Sequence, residues 1–236
     1  MDLSAWQPHI DAMLAFYAGD MDARIVVHDD YGDTDEHSIA HFFRTCDEFP
    51  DLELTALELC RGAVLDVGAG SGCHSIELQE RGLEVCALEI APELCQLMRE
   101  RGVLDVRCGD IHEFESEPFD TVLMMMNGLE LAGSLAGLER LLSHLRSLVS
   151  PGGQVLADSS DLRSSHGIAD DPTRREDGRY VGEVTLQLEY DGRKGMPFQH
   201  LYVDPDTLVD HAAKTDWDCA VLCESEFGHY LARLSR

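Results

Sequence analysis

The stretch VLDVGAGSGCHSIELQERGLEVCALE, residues 64–89, decides the fold class of this chain. It begins with a short apolar run bounded by glycine, which is typical of a strand buried on both faces. A glycine-rich turn, a helix that ends at a glycine and a second apolar run follow, and the second run ends in an acid, Glu89. A unit of this kind usually holds a nucleotide. The questions are therefore which nucleotide it holds, and for what chemistry.

The same alternation continues from residue 63 to residue 160. Apolar runs predicted as strands alternate with predicted helices that end at glycine or at Pro-Gly-Gly. This order indicates an α/β protein with a parallel sheet, right-handed crossovers and helices on both faces. The runs EVTLQLEYD and PFQHLYVD flank GRKG and predict a β-hairpin inserted at about residues 180–203. The runs WDCAVLCES and HYLARLS predict a final pair of strands.

Residues 1–60 are expected to form an N-terminal helical cap, because they carry too little apolar surface for a core of their own. Within this cap, residues 28–38, HDDYGDTDEHS, are predicted as a charged loop. Residues 61–236 are then one domain that contains the hairpin. The N-terminus has no basic leader, and the apolar run at residues 122–126 is too short to span a bilayer. A cytoplasmic location is therefore expected.

The charge of the chain is strongly biased toward acid. It has 45 Asp and Glu against 18 Lys and Arg, a net charge of −27, and its only lysines are Lys194 and Lys214. This composition favours a high-salt (halophilic) cytoplasm, where salt screens the self-repulsion; an ordinary acidic protein is the alternative. Binding to nucleic acid or to an anionic membrane is not expected. The eight cysteines form no CxxC pair, so neither a disulfide framework nor a metal site is expected.

The glycines of the opening turn, Gly68, Gly70 and Gly72, are spaced G-x-G-x-G. A dinucleotide fingerprint is G-x-G-x-x-G, and Cys73 stands where its third glycine would be. A nucleotide-linked oxidoreductase is therefore a weak alternative. A P-loop is excluded because no Gly-Lys-Ser/Thr follows the turn.

Five motifs, in order and at the expected spacing, make the chain resemble the class I S-adenosylmethionine (SAM)-dependent methyltransferases. These are VLDVGAGSG at 64–72, Glu89 at the end of the second strand, GDI at 109–111, FDTVL at 119–123 and SPGG at 150–153. The resemblance covers about residues 60–161 and the final strand pair. It implies the Rossmann-like fold of that family, with a seven-stranded, mostly parallel sheet, and SAM as the methyl donor.

The resemblance also implies a set of cofactor-binding residues. Glu89 would accept hydrogen bonds from both ribose hydroxyls, and Asp110 would accept one from the adenine amino group. Asp66 would orient the turn or reach the ammonium of SAM through water. Alternatively, Asp66 and Asp110 only cap loops. The full expected set is Asp66, Gly68, Ala69, Gly70, Gly72, Glu89, Ile90, Asp110, Ile111, Met126 and Asn127.

Asn127, His74 and Asp158 are the candidate catalytic residues. Asn127 ends the fourth strand and would hydrogen-bond the ammonium of SAM or the acceptor, unless it only forms a turn. His74 opens the helix after the glycine turn and would face the transferred methyl group, unless it only packs. Asp158 ends the fifth strand and would contact the acceptor or its cation. Further candidates are Asp161 at the same strand end and, as weaker proton acceptors, His166, His200 and Tyr202.

The expected activity is methyl transfer from SAM to a small-molecule acceptor. One alternative is an RNA or protein methyltransferase, which the acidity disfavours; another is a non-catalytic SAM-binding or interaction protein on the same fold. Six basic residues within 163–194 predict either a solvated loop or a cationic lid for an anionic acceptor. The acceptor and the oligomeric state do not follow from the sequence.

Overall fold

The computed structural model describes residues 3–167 and 169–236, so the first two residues of the predicted cap lie outside it. The helices are α1 (Gln7–Tyr17), α2 (Asp51–Leu59), α3 (Cys73–Glu80), α4 (Pro92–Arg101), α5 (Leu135–Leu148), α6 (Arg163–His166) and α7 (Pro205–Lys214). The strands are β1 (Arg24–Asp29), β2 (Thr34–Ser38), β3 (Ala63–Val67), β4 (Glu84–Glu89), β5 (Asp105–Cys108), β6 (Phe119–Met124), β7 (Val149–Ser160), β8 (Glu183–Tyr190), β9 (Arg193–Lys194), β10 (Phe198–Leu201), β11 (Asp218–Glu224) and β12 (His229–Ser235). Short 3-10 helices cover Leu3–Ala5, Ile39–Phe43, Cys46–Glu48 and Gly128–Ala132.

The central sheet has seven strands in the order β11-β12-β7-β6-β3-β4-β5. The pairs β4/β5 and β6/β7 are parallel, whereas β12 runs antiparallel to both β7 and β11. The predicted seven-stranded, mostly parallel sheet is therefore confirmed. Strand β7 begins at Val149, so the SPGG motif at residues 150–153, expected to end the preceding helix, belongs to the strand.

Capping residues in the sequence mark where helices α4 and α5 begin or end. Helix α4 has Pro92 in its first turn and ends at Gly102, which has a left-handed φ of 100°. Helix α5 begins after Ser134, whose side chain accepts a hydrogen bond from the Gly137 N–H. The spacing of the leucines of α5 places them on one face, and that face is buried. The buried leucines are Leu138, Leu141, Leu142, Leu145 and Leu148.

A second sheet has the order β10-β8-β1-β2, with β9 paired to β8. Strands β8 and β10 come from the two runs predicted to form a hairpin. Strands β1 and β2 lie in residues 24–38, so the prediction of an all-helical cap with a charged loop at 28–38 is wrong there. The local sequence gives little strand signal because β2 is almost fully exposed and β1 buries only Ile25.

The contacts of the chain divide it into two compact units. The first comprises Met1–Phe49, Asp66–Phe114 and Thr185–Phe198. The second comprises Pro50–Leu65, Glu115–Val184 and Gln199–Arg236. The proposed boundary between a cap and a domain at residue 60 stays a prediction. Within the described residues, no helix is both long enough and apolar enough to cross a membrane.

Candidate functional site

In the first unit the chain turns sharply between β3 and α3. Gly68, Gly70 and Gly72 have positive φ angles of 69°, 56° and 79°, a region that residues with a side chain rarely adopt. The N–H groups of Gly68 and Ala69 both donate to the carbonyl oxygen of Leu88, at 2.9 and 3.1 Å. The turn is therefore tied to the end of β4, the strand that carries Glu89.

The Glu89 carboxylate lies directly against this turn. Its Oε2 accepts a hydrogen bond from the Gly70 N–H at 3.0 Å, and its Oε1 accepts one from the Ala91 N–H at 2.9 Å. The side chain is buried, and burial raises the pKa of the carboxyl, while the two backbone donors act in the opposite direction. Because an ionised carboxylate offers about four lone-pair sites, two remain for hydroxyl donors of a ligand.

Asp66 and His74 are buried behind the turn. Asp66 Oδ2 accepts a hydrogen bond of 2.6 Å from the Ser75 hydroxyl, which ties β3 to α3, and burial raises the pKa of its carboxyl. The His74 ring lies 5.0 Å from the ring of Phe49. These contacts fit an orienting role for Asp66 and a packing role for His74. The predicted contacts of Asp66 with the cofactor and of His74 with the methyl group stay predictions.

The residues that follow β4 and β5 lie at the same edge of the sheet as the glycine turn. Glu89 and Cys108 are partners in the parallel pairing of these strands, and the Gly109 N–H donates to the Glu89 carbonyl oxygen at 3.0 Å. Asp110 Oδ1 accepts a hydrogen bond from the His112 N–H at 3.0 Å, which is the contact of a loop cap. Ile90 is half-buried and Ile111 is buried. The first unit thus brings the glycine turn, Glu89-Ile90 and Asp110-Ile111 to consecutive strand ends.

In the second unit a strained turn follows β6. Met126 and Asn127 are consecutive non-glycine residues with left-handed φ angles of 65° and 62°. The fully buried Asp158 holds this turn, since its Oδ2 accepts from the Met126 N–H at 3.1 Å and its Oδ1 accepts from the Gly128 N–H at 3.0 Å. Strained backbone of this kind persists only where the surroundings fix it, and it is common at functional sites.

Asn127 and His229 make two further hydrogen bonds near this turn. The Ser160 hydroxyl donates to Asn127 Oδ1 at 2.8 Å, and Nε2 of His229 lies 2.7 Å from Asp158 Oδ2. The hydrogen bond and the charge of Asp158 raise the pKa of His229. Asp158 therefore holds the turn and the imidazole together. Its predicted contact with an acceptor, and those of Met126 and Asn127 with the cofactor, stay predictions.

Glu130 and His200 form a second acid–imidazole pair in the same unit. Oε2 of Glu130 lies 3.1 Å from Nδ1 of His200. Burial and the nearby charge of Asp158 raise the pKa of Glu130 to about 8, and burial lowers the pKa of His200 to about 3. At neutral pH the pair therefore consists of a protonated acid and a neutral imidazole.

These two pKa shifts predict how stability depends on pH. The folded state keeps a proton on Glu130 that the unfolded chain releases between its usual 4.5 and about 8. It also lacks a proton on His200 that the unfolded chain binds between about 3 and its usual 6.5. From this pair we expect the free energy of unfolding to rise from pH 3 to 4.5, stay level to 6.5 and fall to pH 8.

Urea unfolding at closely spaced pH values measures this contribution. In Glu130→Gln the fall between pH 6.5 and 8 should become shallower than in the wild type, because the titrating group is gone. An identical fall in both proteins would show that Glu130 does not titrate in that range.

The basic residues of segment 163–194 bind neighbouring acids. Arg163 pairs with three carboxylates, and Arg179 lies 2.8 Å from Asp177. The buried Arg175 donates to the carbonyl oxygen of Glu183 at 3.3 Å. These contacts engage the three arginines with other groups of the protein, which favours the loop interpretation over a cationic lid. The three carboxylates around Arg163 belong to Asp161, Asp204 and Asp206.

Sequence reasoning missed Glu130, Ser160 and His229. No local motif marks them; the one available signal is that Glu130 is a single acid within the apolar stretch GLELA. Across residues 3–167 and 169–236, no group of three or more His, Cys, Asp or Glu side chains is placed to hold a metal ion.

Several known proteins that this chain resembles are methyltransferases. A family model described as a methyltransferase domain matches residues 64–153. A crystal structure of a SAM-dependent methyltransferase from Bacteroides fragilis, in complex with S-adenosyl-L-homocysteine, is 36% identical with a TM-score of 0.87. That match covers 100% of this chain and 96% of the other.

Two curated relatives match over shorter stretches. A ubiquinone biosynthesis O-methyltransferase of Xanthomonas euvesicatoria pv. vesicatoria is 34% identical over 43% of this chain and 44% of its own length. A magnesium-protoporphyrin O-methyltransferase of Rhodobacter capsulatus is 33% identical over 28% of this chain and 31% of its own length. The matched stretch thus spans less than half of these curated relatives.

Proposed function

The chain belongs to the class I SAM-dependent methyltransferases, and from this membership we propose that it transfers the methyl group of SAM to a small organic acceptor. The glycine turn with Glu89 against it is the observation that carries the proposal. The same strand–turn–helix–strand unit lies within the residues matched by the methyltransferase model and by the Bacteroides fragilis enzyme.

The first unit offers groups that fit SAM. Glu89 keeps lone pairs for the two ribose hydroxyls, because its two backbone donors use only about half of the carboxylate's capacity. A side-chain carbon added at Gly70 would meet nothing closer than the Gly68 carbonyl oxygen at 3.9 Å, so the outer side of the turn is open. Ile90 and Ile111 supply apolar surface for the adenine, and Asp110 supplies an acceptor for its amino group.

When bound, SAM supplies an electrophilic methyl group on a sulfonium cation. The protein's contribution is to align the acceptor with that methyl group and to exclude water from it. The Asp158-held turn at Met126-Asn127 contributes by fixing two residues for contact with the cofactor or the acceptor. Asn127 is proposed to hydrogen-bond the ammonium of SAM or the acceptor, and Asp158 and His74 remain the other candidates.

A small-molecule acceptor is favoured over a macromolecule. The curated relatives are named for ubiquinone biosynthesis and for magnesium-protoporphyrin, which are small-molecule chemistries. An RNA substrate would need a basic groove, and the net charge of −27 opposes one. The same composition supports the expectation of a cytoplasmic enzyme that works at high salt.

Calorimetric titration tests the cofactor assignment. We expect SAM and S-adenosylhomocysteine to bind with micromolar affinity, and Glu89→Gln to weaken binding at least about 10-fold, because a hydrogen bond to a charged group contributes about 1.5–3 kcal/mol. The control is Glu93→Gln, which removes the same charge from an exposed position on α4. The titrations are run in low and in molar potassium chloride.

The outcomes of this titration are distinct. NADH is titrated as a third compound, beside SAM and S-adenosylhomocysteine. Binding of NADH alone would overturn the cofactor assignment. Binding of none of the three compounds at either salt concentration would favour a non-catalytic interaction protein. Equal weakening in Glu89→Gln and Glu93→Gln would attribute the effect to net charge and not to the ribose contact.

A further inference from the structure

One ring nitrogen of His200, Nε2, is buried and, within the part of the chain that the structure describes, has no hydrogen-bond partner. Leaving such a group unsatisfied costs about 1–3 kcal/mol, so each one calls for an explanation, of which a catalytic role is one. His211 Nδ1 is also buried without a hydrogen bond of good geometry, but it lies 3.0 Å from Glu139 Oε1.

The surroundings of His200 fix the direction of its ring. Nδ1 faces Glu130 at 3.1 Å, and the ring of Tyr202 lies 4.2 Å away. Glu130 is itself held, since its N–H donates to the Asn127 carbonyl oxygen at 2.8 Å within the turn that Asp158 clamps. The unpartnered nitrogen therefore belongs to the same cluster as the strained turn and is not an isolated packing histidine.

We propose that His200 and Glu130 are the proton-accepting pair of the methyl transfer, with His200 Nε2 binding the O–H or N–H of the acceptor and Glu130 orienting the ring through Nδ1. This inference rests on the proposed function and adds a substrate class to it. The acceptor is a small molecule whose nucleophilic atom carries a proton, an alcohol, phenol or neutral amine.

The proposed step balances in atoms and charge. The lone pair of the acceptor oxygen or nitrogen forms the new bond to the methyl carbon, while the carbon–sulfur bond breaks and its electron pair stays on sulfur. The acceptor's proton passes to His200 Nε2 and gives an imidazolium. Burial, which lowers the pKa of His200 to about 3, opposes this charge, so the step requires the ionised Glu130 carboxylate, which stabilises the imidazolium through the Nδ1–H. Release of that proton to water restores the pair.

The two protonation states of Glu130 have opposite consequences for Nε2. When Glu130 is protonated, its O–H donates to Nδ1 and the ring carries its own proton on Nε2, which is then a donor. When Glu130 is ionised, it accepts from Nδ1–H, and Nε2 becomes an acceptor. The charged groups that face the pair are Asp158 and, through it, His229. Because the pKa of Glu130 is raised to about 8, the rate of methyl transfer should increase as pH rises through about 8.

Nitrogen NMR of histidine-labelled protein tests the pair without any acceptor. In wild type, free and with S-adenosylhomocysteine, the His200 signals should change from the Nε2–H to the Nδ1–H tautomer with a midpoint near pH 8. Glu130→Gln should abolish this change. A wild-type His200 that keeps the Nε2–H tautomer to high pH would overturn the proposal.

Turnover of labelled SAM with catechol and with benzylamine, as O–H and N–H probes, gives the second readout. His200→Ala should lower kcat for the accepted probe about 100- to 10,000-fold with unchanged SAM affinity. Glu130→Gln should remove the rise in rate with pH. The control pair is Glu139→Gln and His211→Ala, a second acid–imidazole contact of the same unit.

The failures of the two proposals are distinguishable. Loss of SAM binding in the wild-type titration would overturn the proposed function whatever His200 does. Normal SAM binding with turnover in His200→Ala equal to wild type would overturn only the role of the pair. If neither probe is methylated, the NMR titration alone decides the role of the pair.

Discussion

Replacing Asp158 with alanine is expected to lower the free energy of unfolding by about 2–6 kcal/mol, because each of the two backbone N–H groups left without an acceptor costs about 1–3 kcal/mol. The variant leaves the N–H groups of Met126 and Gly128 without their acceptors and leaves His229 without its counter-charge. The left-handed turn at Met126-Asn127 then loses what holds it. We therefore expect methyl transfer to be lost as well, even at temperatures where the variant stays folded.

Urea unfolding and SAM turnover measure the two effects of Asp158→Ala. Asp158→Asn should be intermediate, because it keeps one carbonyl oxygen for one of the two N–H donors but no charge for His229. The control is Asp218→Ala, which removes an exposed acid from the same sheet and should change stability by less than about 0.5 kcal/mol. If Asp158→Ala lowers the free energy of unfolding by less than about 1 kcal/mol, Asp158 does not hold the turn, because even one unsatisfied N–H group costs about 1–3 kcal/mol.

The substitutions Gly72→Ala and Gly70→Ala are also expected to have large effects. Gly72→Ala should mainly lower stability, whereas Gly70→Ala should mainly lower the affinity for SAM. At Gly72 the new carbon would lie 2.8 Å from Val103 Cγ2 and 3.1 Å from Met98 Cγ. At Gly70 it would meet nothing closer than 3.9 Å. Both positions have left-handed φ angles, which cost a residue with a side chain about 1–2 kcal/mol. Overpacking adds about 1–3 kcal/mol at Gly72 alone.

Thermal unfolding and SAM titration separate the two glycines. Gly72→Ala should have the lower Tm of the two, whereas Gly70→Ala should show the greater loss of SAM affinity per unit of lost stability, because its new methyl group occupies the open side of the turn. The reverse order of Tm would mean that Val103 and Met98 yield easily. Unchanged SAM affinity in Gly70→Ala would place the cofactor away from this side of the turn.

The parts of the fold that the sequence predicts are those with short-range signals. Strands β3, β4 and β6 are continuous apolar runs, and glycine or proline marks the ends of the helices between them, so their order predicts the sheet. The glycine turn and Glu89 are predicted for the same reason: residues 64–89 contain both partners of the contact between Gly70 and Glu89.

The parts that the sequence does not predict depend on partners far along the chain. Strand β2 is exposed and acidic, and β1 has a strand's environment only because β8 lies beside it. Glu130 and His200 belong to no shared motif and lie 70 positions apart in the sequence. The contact between Asp158 and His229 joins residues 71 positions apart, and His229 carries no local sign of a role. Burial, which shifts the pKa values of Glu130 and His200, is a property of the assembled unit.

The pairing of β1 with β8 also has a consequence for how this protein is made. His28 and Glu189 are joined by a 2.8 Å contact across 161 positions of sequence. At a synthesis rate of about 5–20 residues per second, the ribosome needs roughly 10–30 s after β1 to deliver its partner. During that interval β1 and β2 can form only a two-stranded ribbon, which is marginally stable in water. The acidic side chains of β2 then act as gatekeepers, because their charge discourages nascent chains from pairing edge to edge on the same polysome.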